Sequence, residues 1–219
     1  FSPDSSKLVY GSNADTEFTQ AYSYDLASAE SELVYSSEWD IMYLYYSDSG
    51  KYQVVGTNED AQTNVVVMDT NSKKAIEMPE LPKGDVQRVR FNKDESAISF
   101  LLNADSAPSN LYYYELGASS VTKLSDNLSE KLSSEFLVES TVERFESFDG
   151  LEIPGLLYKP HQASAQKPVA AIVLVHGGPG GQARKGYDPL IQHLVNNGYA
   201  IFDVNNRGSS GYGKTFFHL

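Results

Sequence analysis

Two glycine-rich stretches hold the residues of this chain whose types and spacing could do chemistry. One is His176-Gly-Gly-Pro-Gly-Gly181. The other is Asn205-Asn-Arg-Gly-Ser-Ser-Gly-Tyr-Gly213, followed by Lys214 and Thr215. Such loops either cradle phosphate on their amides or let a backbone N–H approach a substrate carbonyl without a side chain in the way. The first stretch fails the dinucleotide fingerprint G-x-G-x-x-G, because Pro179 interrupts it and further residues separate it from the next helix signal. The second satisfies the phosphate-loop pattern G-x-x-x-x-G-K-[ST] from Gly208 to Thr215 in full. However, Asn205, Asn206 and Arg207 stand between it and the preceding strand, and residues 216–219 end before a following helix can be judged. The first stretch reads better as an oxyanion hole, whose amides receive the charge that develops on an acyl oxygen during attack. Four glycines and a proline in six residues exceed what a plain tight turn needs. A nucleophile is harder to find. No G-x-S-x-G elbow occurs, neither Ser209 nor Ser210 has glycine at both two-residue flanks, and no pattern marks His161, His193 or His218 as a general base.

The elements around these loops are legible. Residues 169–175 form a continuous apolar run, as expected for a central parallel strand covered on both faces. A helix signal follows: Asp188 as N-cap, Pro189 in the first turn, Leu190, Ile191, Leu194 and Val195 on one face, and Gly198 past the end. Residues 199–204 read as a second buried strand, which makes strand, loop, helix, strand a βαβ unit with a right-handed crossover. Ligands bind such sheets outside the carboxyl ends of the strands, where both glycine loops fall. Upstream, residues 142–148 and 151–158 flank Asp149-Gly150, predicted as a two-residue hairpin turn.

Residues 1–139 have a different texture. Three segments beginning near Phe1, Tyr45 and Phe91 each run aromatic residue, acidic turn, strand, with Asp4, Asp48 and Asp94 as the turn acids. Each acid is followed 21 residues later by another: Asp25, Asp69 and Glu115. A period of about 45 residues with several short strands is the spacing of four-stranded propeller blades. One acid per turn is best explained by Asx-type bonding to its own backbone, a structural role. About three blades fit, fewer than the four or more of a closed propeller.

Composition narrows the partners. With 41% apolar and 12% aromatic residues the 219-residue chain is globular, and its longest strongly apolar run is too short for a membrane-spanning helix. The 17 basic and 29 acidic residues give −12, the wrong sign for nucleic-acid binding. Residues 1–139 carry −13 and residues 140–219 carry +1, so the two parts differ in chemistry. The absence of cysteine excludes disulfides, cysteine-ligated metal and a thiol nucleophile, and leaves the compartment open. A start at Phe1 reads as a cut.

His-Gly-Gly-Pro-Gly-Gly after a buried strand, then Asn-Asn-Arg-Gly-Ser-Ser-Gly-Tyr-Gly-Lys, preceded by the Phe148-Asp-Gly hairpin with Ile153-Pro-Gly and by Phe-Ser-Pro-Asp repeats, resembles the prolyl oligopeptidase family of serine peptidases. The acylaminoacyl-peptidase and dipeptidyl-peptidase branches look most similar. The resemblance implies a mixed fold, a partial all-β propeller over residues 1–139 followed by the N-terminal part of an α/β-hydrolase domain over 140–219. It implies a Ser-Asp-His triad acting on short peptides, with no cofactor. Gly178, with Gly177 beside it, would supply oxyanion amides, while His176 shapes that loop and Arg207 and Tyr212 stand in the neighbouring one, as substrate contacts or as scaffold. The triad is absent from these 219 residues, so the chain is expected to be a catalytically incomplete fragment. An esterase of the same fold, or a propeller binding protein without hydrolysis, are the alternatives. Strand 169–175 would expose an unpaired apolar edge.

Overall fold

Short β-branched and aromatic runs divided by Asp-, Asn-, Ser- and Gly-rich turns build three antiparallel sheets in succession in the computed structural model, which describes residues 1–178 and 180–219. Pro179, which breaks the dinucleotide pattern, lies outside the described residues. The first sheet holds β1 (Lys7–Ser12), β2 (Gln20–Asp25) and β3 (Ser31–Tyr35). The second holds β4 (Asp40–Tyr46), β5 (Tyr52–Glu59) and β6 (Gln62–Asp69). The third holds β7 (Asp85–Phe91), β8 (Ala97–Ala104), β9 (Ala107–Glu115) and β10 (Thr122–Lys123). The second and third sheets share a core in which Val54, Val67, Val89, Ile98, Phe100 and Tyr114 are almost wholly excluded from water. Each such side chain contributes about 1.5–3 kcal/mol of burial free energy.

The repeat is real, but its register differs from the sequence reading. The strand-opening turn is closed by Lys7 N donating to Ser2 Oγ (2.9 Å), Tyr52 N to Ser47 Oγ (3.0 Å) and Ala97 N to Asn92 Oδ1 (3.0 Å). Ser2, Ser47 and Asn92 are 45 residues apart in both steps. The equivalents of Asp4 are therefore Ser49 and Asp94, not Asp48. Asp4 and Asp94 accept from Ser6 and Ser96, the Asx bonding expected of them, and the Ser2 hydroxyl holds the Asp4 carboxyl down to about 2. In the middle unit, Ser49 N and Oγ instead donate to Glu95 of the next sheet, at 2.7 and 2.6 Å. Asp25, Asp69 and Glu115 pair with Lys7, Tyr52 and Ala97, so the middle hairpin is one residue shorter and the constant offset of 21 was a coincidence of misregister. A second repeated acid joins successive sheets: Thr19 N donates to Asp40 (2.7 Å) and Thr63 N to Asp85 (2.6 Å).

Downstream, β11 (Ser140–Glu146), β12 (Glu152–Tyr158), β13 (Ala171–Val175) and β14 (Ala200–Val204) form a mixed sheet in the order β11-β12-β14-β13, with β13 and β14 parallel. Helix α1 (Pro189–Asn196) joins them, and the short α2 (Gly213–Phe217) follows the second glycine loop. Asp188 caps α1, accepting from Leu190 N and Ile191 N, and Gly198 has left the helix at φ +89°. Ile191 and Val195 pack on Leu156, Tyr158 and Ile201. Leu190, expected on that face, is exposed, and Gln192 takes the buried place, bonding the backbone of Asp105 and Val138. Two further corrections follow. The hairpin around Asp149 is a three-residue loop, Phe148 to Gly150, closed by Gly150 N to Ser147 O and Ser147 N to Leu151 O, with Gly150 at φ +85°. β13 ends the sheet, with the unpaired apolar edge expected of it, but it is covered on one face and not on both: Ile172 and Leu174 face the core while Val173 and Val175 are 61% and 64% exposed.

Candidate active site

The loop after β13 begins with His176, whose Nε2 lies 2.8 Å from Ser209 Oγ in the loop after β14. Ser209 is fully buried, its hydroxyl also bonds Asn206 O at 2.6 Å, and His176 Nδ1 faces Gly177 O at 3.3 Å, so the pair is a strut between loops rather than an exposed base and nucleophile. Ser210 N donates to Gly181 O, and the buried Asn205 both accepts from Ala183 N (2.7 Å) and donates to Ala183 O (3.1 Å). A side chain at Gly181 would lie 2.7 Å from Gly177 O, which is why the return of the loop needs glycine. Gly177 and Gly178, by contrast, face open space: a Cβ on either would meet nothing within 4 Å. Gly178 holds φ +70°, and among the described residues neither amide donates to the chain. Asp203, beneath the loops in β14, is pushed up by burial against the opposing pull of His176.

The other anticipated residues lie on the second loop. Arg207 pairs with Asp149 at the hairpin tip and covers the ring of Phe148, 5.2 Å from its centroid; that bond lowers the Asp149 carboxyl. Tyr212 packs edge-on to Trp39 of the first part and against Phe216, accepts from Asn205 Nδ2, and is pushed up to about 12 by burial. Both make scaffold contacts here. The phosphate-loop resemblance at Gly208 to Thr215 leads to protein, not to an open cradle. Thr215 N and Oγ donate to the Glu17 carboxylate (2.7 and 2.9 Å), lowering it, and Lys214 Nζ donates to Asn13 O (3.0 Å). His161 and His218 are exposed, and His193 sits on the outer side of α1 beside Asn197. Among the described residues no group of three or more His, Cys, Asp or Glu could hold a metal, and no helix is long and apolar enough to cross a membrane.

Arg184, which no local pattern in the sequence singles out, ties the first glycine loop to the repeated sheets. Its guanidinium donates to Asn58 Oδ1 and Thr63 Oγ1 in the second sheet (both 2.7 Å) and to Asp85 Oδ1 in the third (2.9 Å). Nearby, Gly186 N, Ser140 N and Ser140 Oγ all donate to the buried Asp105 carboxylate. The Asp60-Ala61 turn of β5–β6 completes the seam: Arg144 Nη2 reaches both Asp60 oxygens at 2.7 Å, Lys185 N donates to Ala61 O, and the Ala61 methyl is buried in the core of the mixed sheet despite φ +67°. Polar pairs 35 to 126 residues apart leave no periodic trace, so no signal in the sequence could have found them.

This arrangement of antiparallel repeats bonded to a parallel strand with a bare glycine loop at its carboxyl end is a fold shared with solved peptidases. A puromycin-hydrolyzing peptidase of Mycobacterium tuberculosis matches 96% of this chain with 33% of its own (TM-score 0.80, 19% identity). An acylaminoacyl peptidase of Pyrococcus horikoshii matches 97% with 33% of its own (TM-score 0.71, 22% identity). In sequence, the dipeptidyl aminopeptidase BIII of Pseudoxanthomonas mexicana is 34% identical over 139 residues, 61% of this chain and 20% of that protein. The uncharacterized peptidase YuxL of Bacillus subtilis is 27% identical over 175 residues, 79% of this chain and 26% of that one. No protein-family profile matches. The chain is similar to peptidases of the prolyl oligopeptidase family over part of their length: it spans about a fifth to a quarter of these curated relatives.

Proposed function

We propose that residues 1–139 are three blades of a β-propeller, that residues 140–219 are the N-terminal part of an α/β-hydrolase domain, and that the protein they serve is a serine peptidase cleaving short peptides through an acyl-enzyme. In this reading the Gly178 and Gly177 amides stabilise the oxyanion, while His176, Arg207 and Tyr212 shape the substrate side of the two loops. The carrying observation is the contrast between the loops: Ser209, Ser210 and Gly181 are locked together, while Gly177 and Gly178 stand uncovered at the carboxyl end of a parallel strand. No G-x-S-x-G elbow occurs in the chain, so these 219 residues alone should not turn over aminoacyl or dipeptidyl chromogenic amides. Turnover by this chain that a serine-directed phosphonate blocks would overturn that part. In the full-length protein, Gly178→Val places a side chain on the amide approach at a strained φ. Its kcat should fall on the order of 10²- to 10³-fold with KM little changed, as for loss of an oxyanion donor. An unchanged kcat removes Gly178 from the site.

A further inference from the structure

A cavity of about 510 Å³ opens between the second and third sheets, along the distal halves of β4 and β7. Its walls include Tyr43, Tyr45, Asp48, Arg88, Arg90 and Phe91. The chain carries only two arginines in residues 1–139, in a part with a net charge of −13, and both line this cavity. They stand two residues apart across a bulge, where β7 shifts register between Gln87 and Arg90. Arg88 itself holds φ +51°, a left-handed conformation that a long side chain adopts only when its surroundings impose it. Among the described residues Arg88 makes no hydrogen bond or ion pair, and Arg90 donates only to Val89 O at 2.9 Å. Tyr45 fixes the wall: its hydroxyl donates to the same Val89 O at 2.7 Å, and its ring lies 5.8 Å from the Arg90 guanidinium. Both arginines bring positive charge to one cleft, and the acid that lines it, Asp48, forms no ion pair with either.

We infer that this cleft binds the carboxylate of a peptide, gripped by Arg88 and Arg90 while the tyrosine and phenylalanine rings cover the flanking side chain. A planar guanidinium matches a carboxylate in two parallel hydrogen bonds, and the volume falls within the range of small-ligand sites. No residue of either glycine loop lines the cleft, which is therefore distinct from the site proposed above. That the ligand is a peptide rests on the peptidase reading; that it is a carboxylate does not.

The test is fluorescence anisotropy on the full-length protein, with any reactive serine first blocked by a phosphonate so that binding is read without hydrolysis. Three labelled pentapeptides of one neutral sequence serve as probes: the free acid, its C-terminal amide, and the amide with an internal Glu. At least one carboxylate-bearing probe should bind tenfold or more tighter than the neutral amide. That preference should shrink below twofold in R88Q/R90Q and fall markedly in Arg88→Gly, which relieves the positive φ and so protects the fold. Preference for the free acid alone assigns a C-terminus, and preference for the Glu probe assigns a side chain. Equal binding of all three, or an acid preference that survives R88Q/R90Q, overturns the proposal. Failure of the phosphonate to label the protein counts against the peptidase reading and leaves the binding result standing.

Discussion

Arg184 is the residue whose removal should be felt most widely. Asp85 is nearly buried, and Thr63 N and Arg184 are its charge-stabilising donors from other elements. Arg184→Met should lower the free energy of unfolding by about 3 kcal/mol in urea titration, because it strands a carboxylate in the seam. Adding Asp85→Asn should recover part of the loss, whereas simple additivity would show that the two do not interact. The local sequence pattern singles out His176, Gly177, Gly178, Arg207 and Tyr212 as candidates because glycine-rich loops at strand ends announce themselves locally. It could not reach Arg184, Asp105 or Gln192, whose partners lie 99, 81 and 54 residues away in sequence. It also could not tell that Ser209, flanked by glycines, points inward.

Among the elements, α1 was the most legible, since capping chemistry is local: Asp188→Ala should cost about 1 kcal/mol in thermal or urea unfolding. Its face was misjudged at one position, because periodicity ranks Leu190 above Gln192 and only the neighbouring backbone of Asp105 and Val138 reverses that order. The repeat is legible through its acids but slips by one residue in the middle unit, where a serine stands at the acid's position and the hairpin lacks the bulge that the third sheet carries between Leu102 and Ala104. For β13, an apolar run signals a strand meant to be covered but not where its cover comes from. Val173→Lys with Val175→Lys should lower light scattering of the isolated chain at a given concentration without lowering its melting temperature. Unchanged scattering would mean that this edge does not drive association.

For the whole molecule, the seam between the repeated sheets and the mixed sheet joins a part of charge −13 to one of +1, and acids of the first meet bases of the second at Asp60–Arg144 and Asp85–Arg184. Glu17, reaching the start of α2, belongs to the same seam, and its backbone bond from Thr215 holds its carboxyl low. Asp4, Asp25, Asp69, Asp94 and Asp149 are likewise lowered by hydrogen bonds. Carboxyls lowered by folding take up protons first in the unfolded chain. Their contribution is therefore complete above about pH 5 and is lost as pH falls towards 2. Asp203, raised by burial, runs the other way as a single opposing group. The melting temperature should accordingly hold near neutrality and decline through the acid range, and Glu17→Gln should flatten that decline. A melting temperature that rises on acidification would contradict this account.

The inward pairing of Ser209 with His176 also bears on how covalent labelling would read. A serine touching an imidazole is what a distance search takes for a reactive centre, yet this hydroxyl is sealed and also bonded to Asn206 O. Modification at Ser209 by an organophosphorus reagent would thus report that the two loops had parted, making that serine an internal gauge of damage rather than of activity.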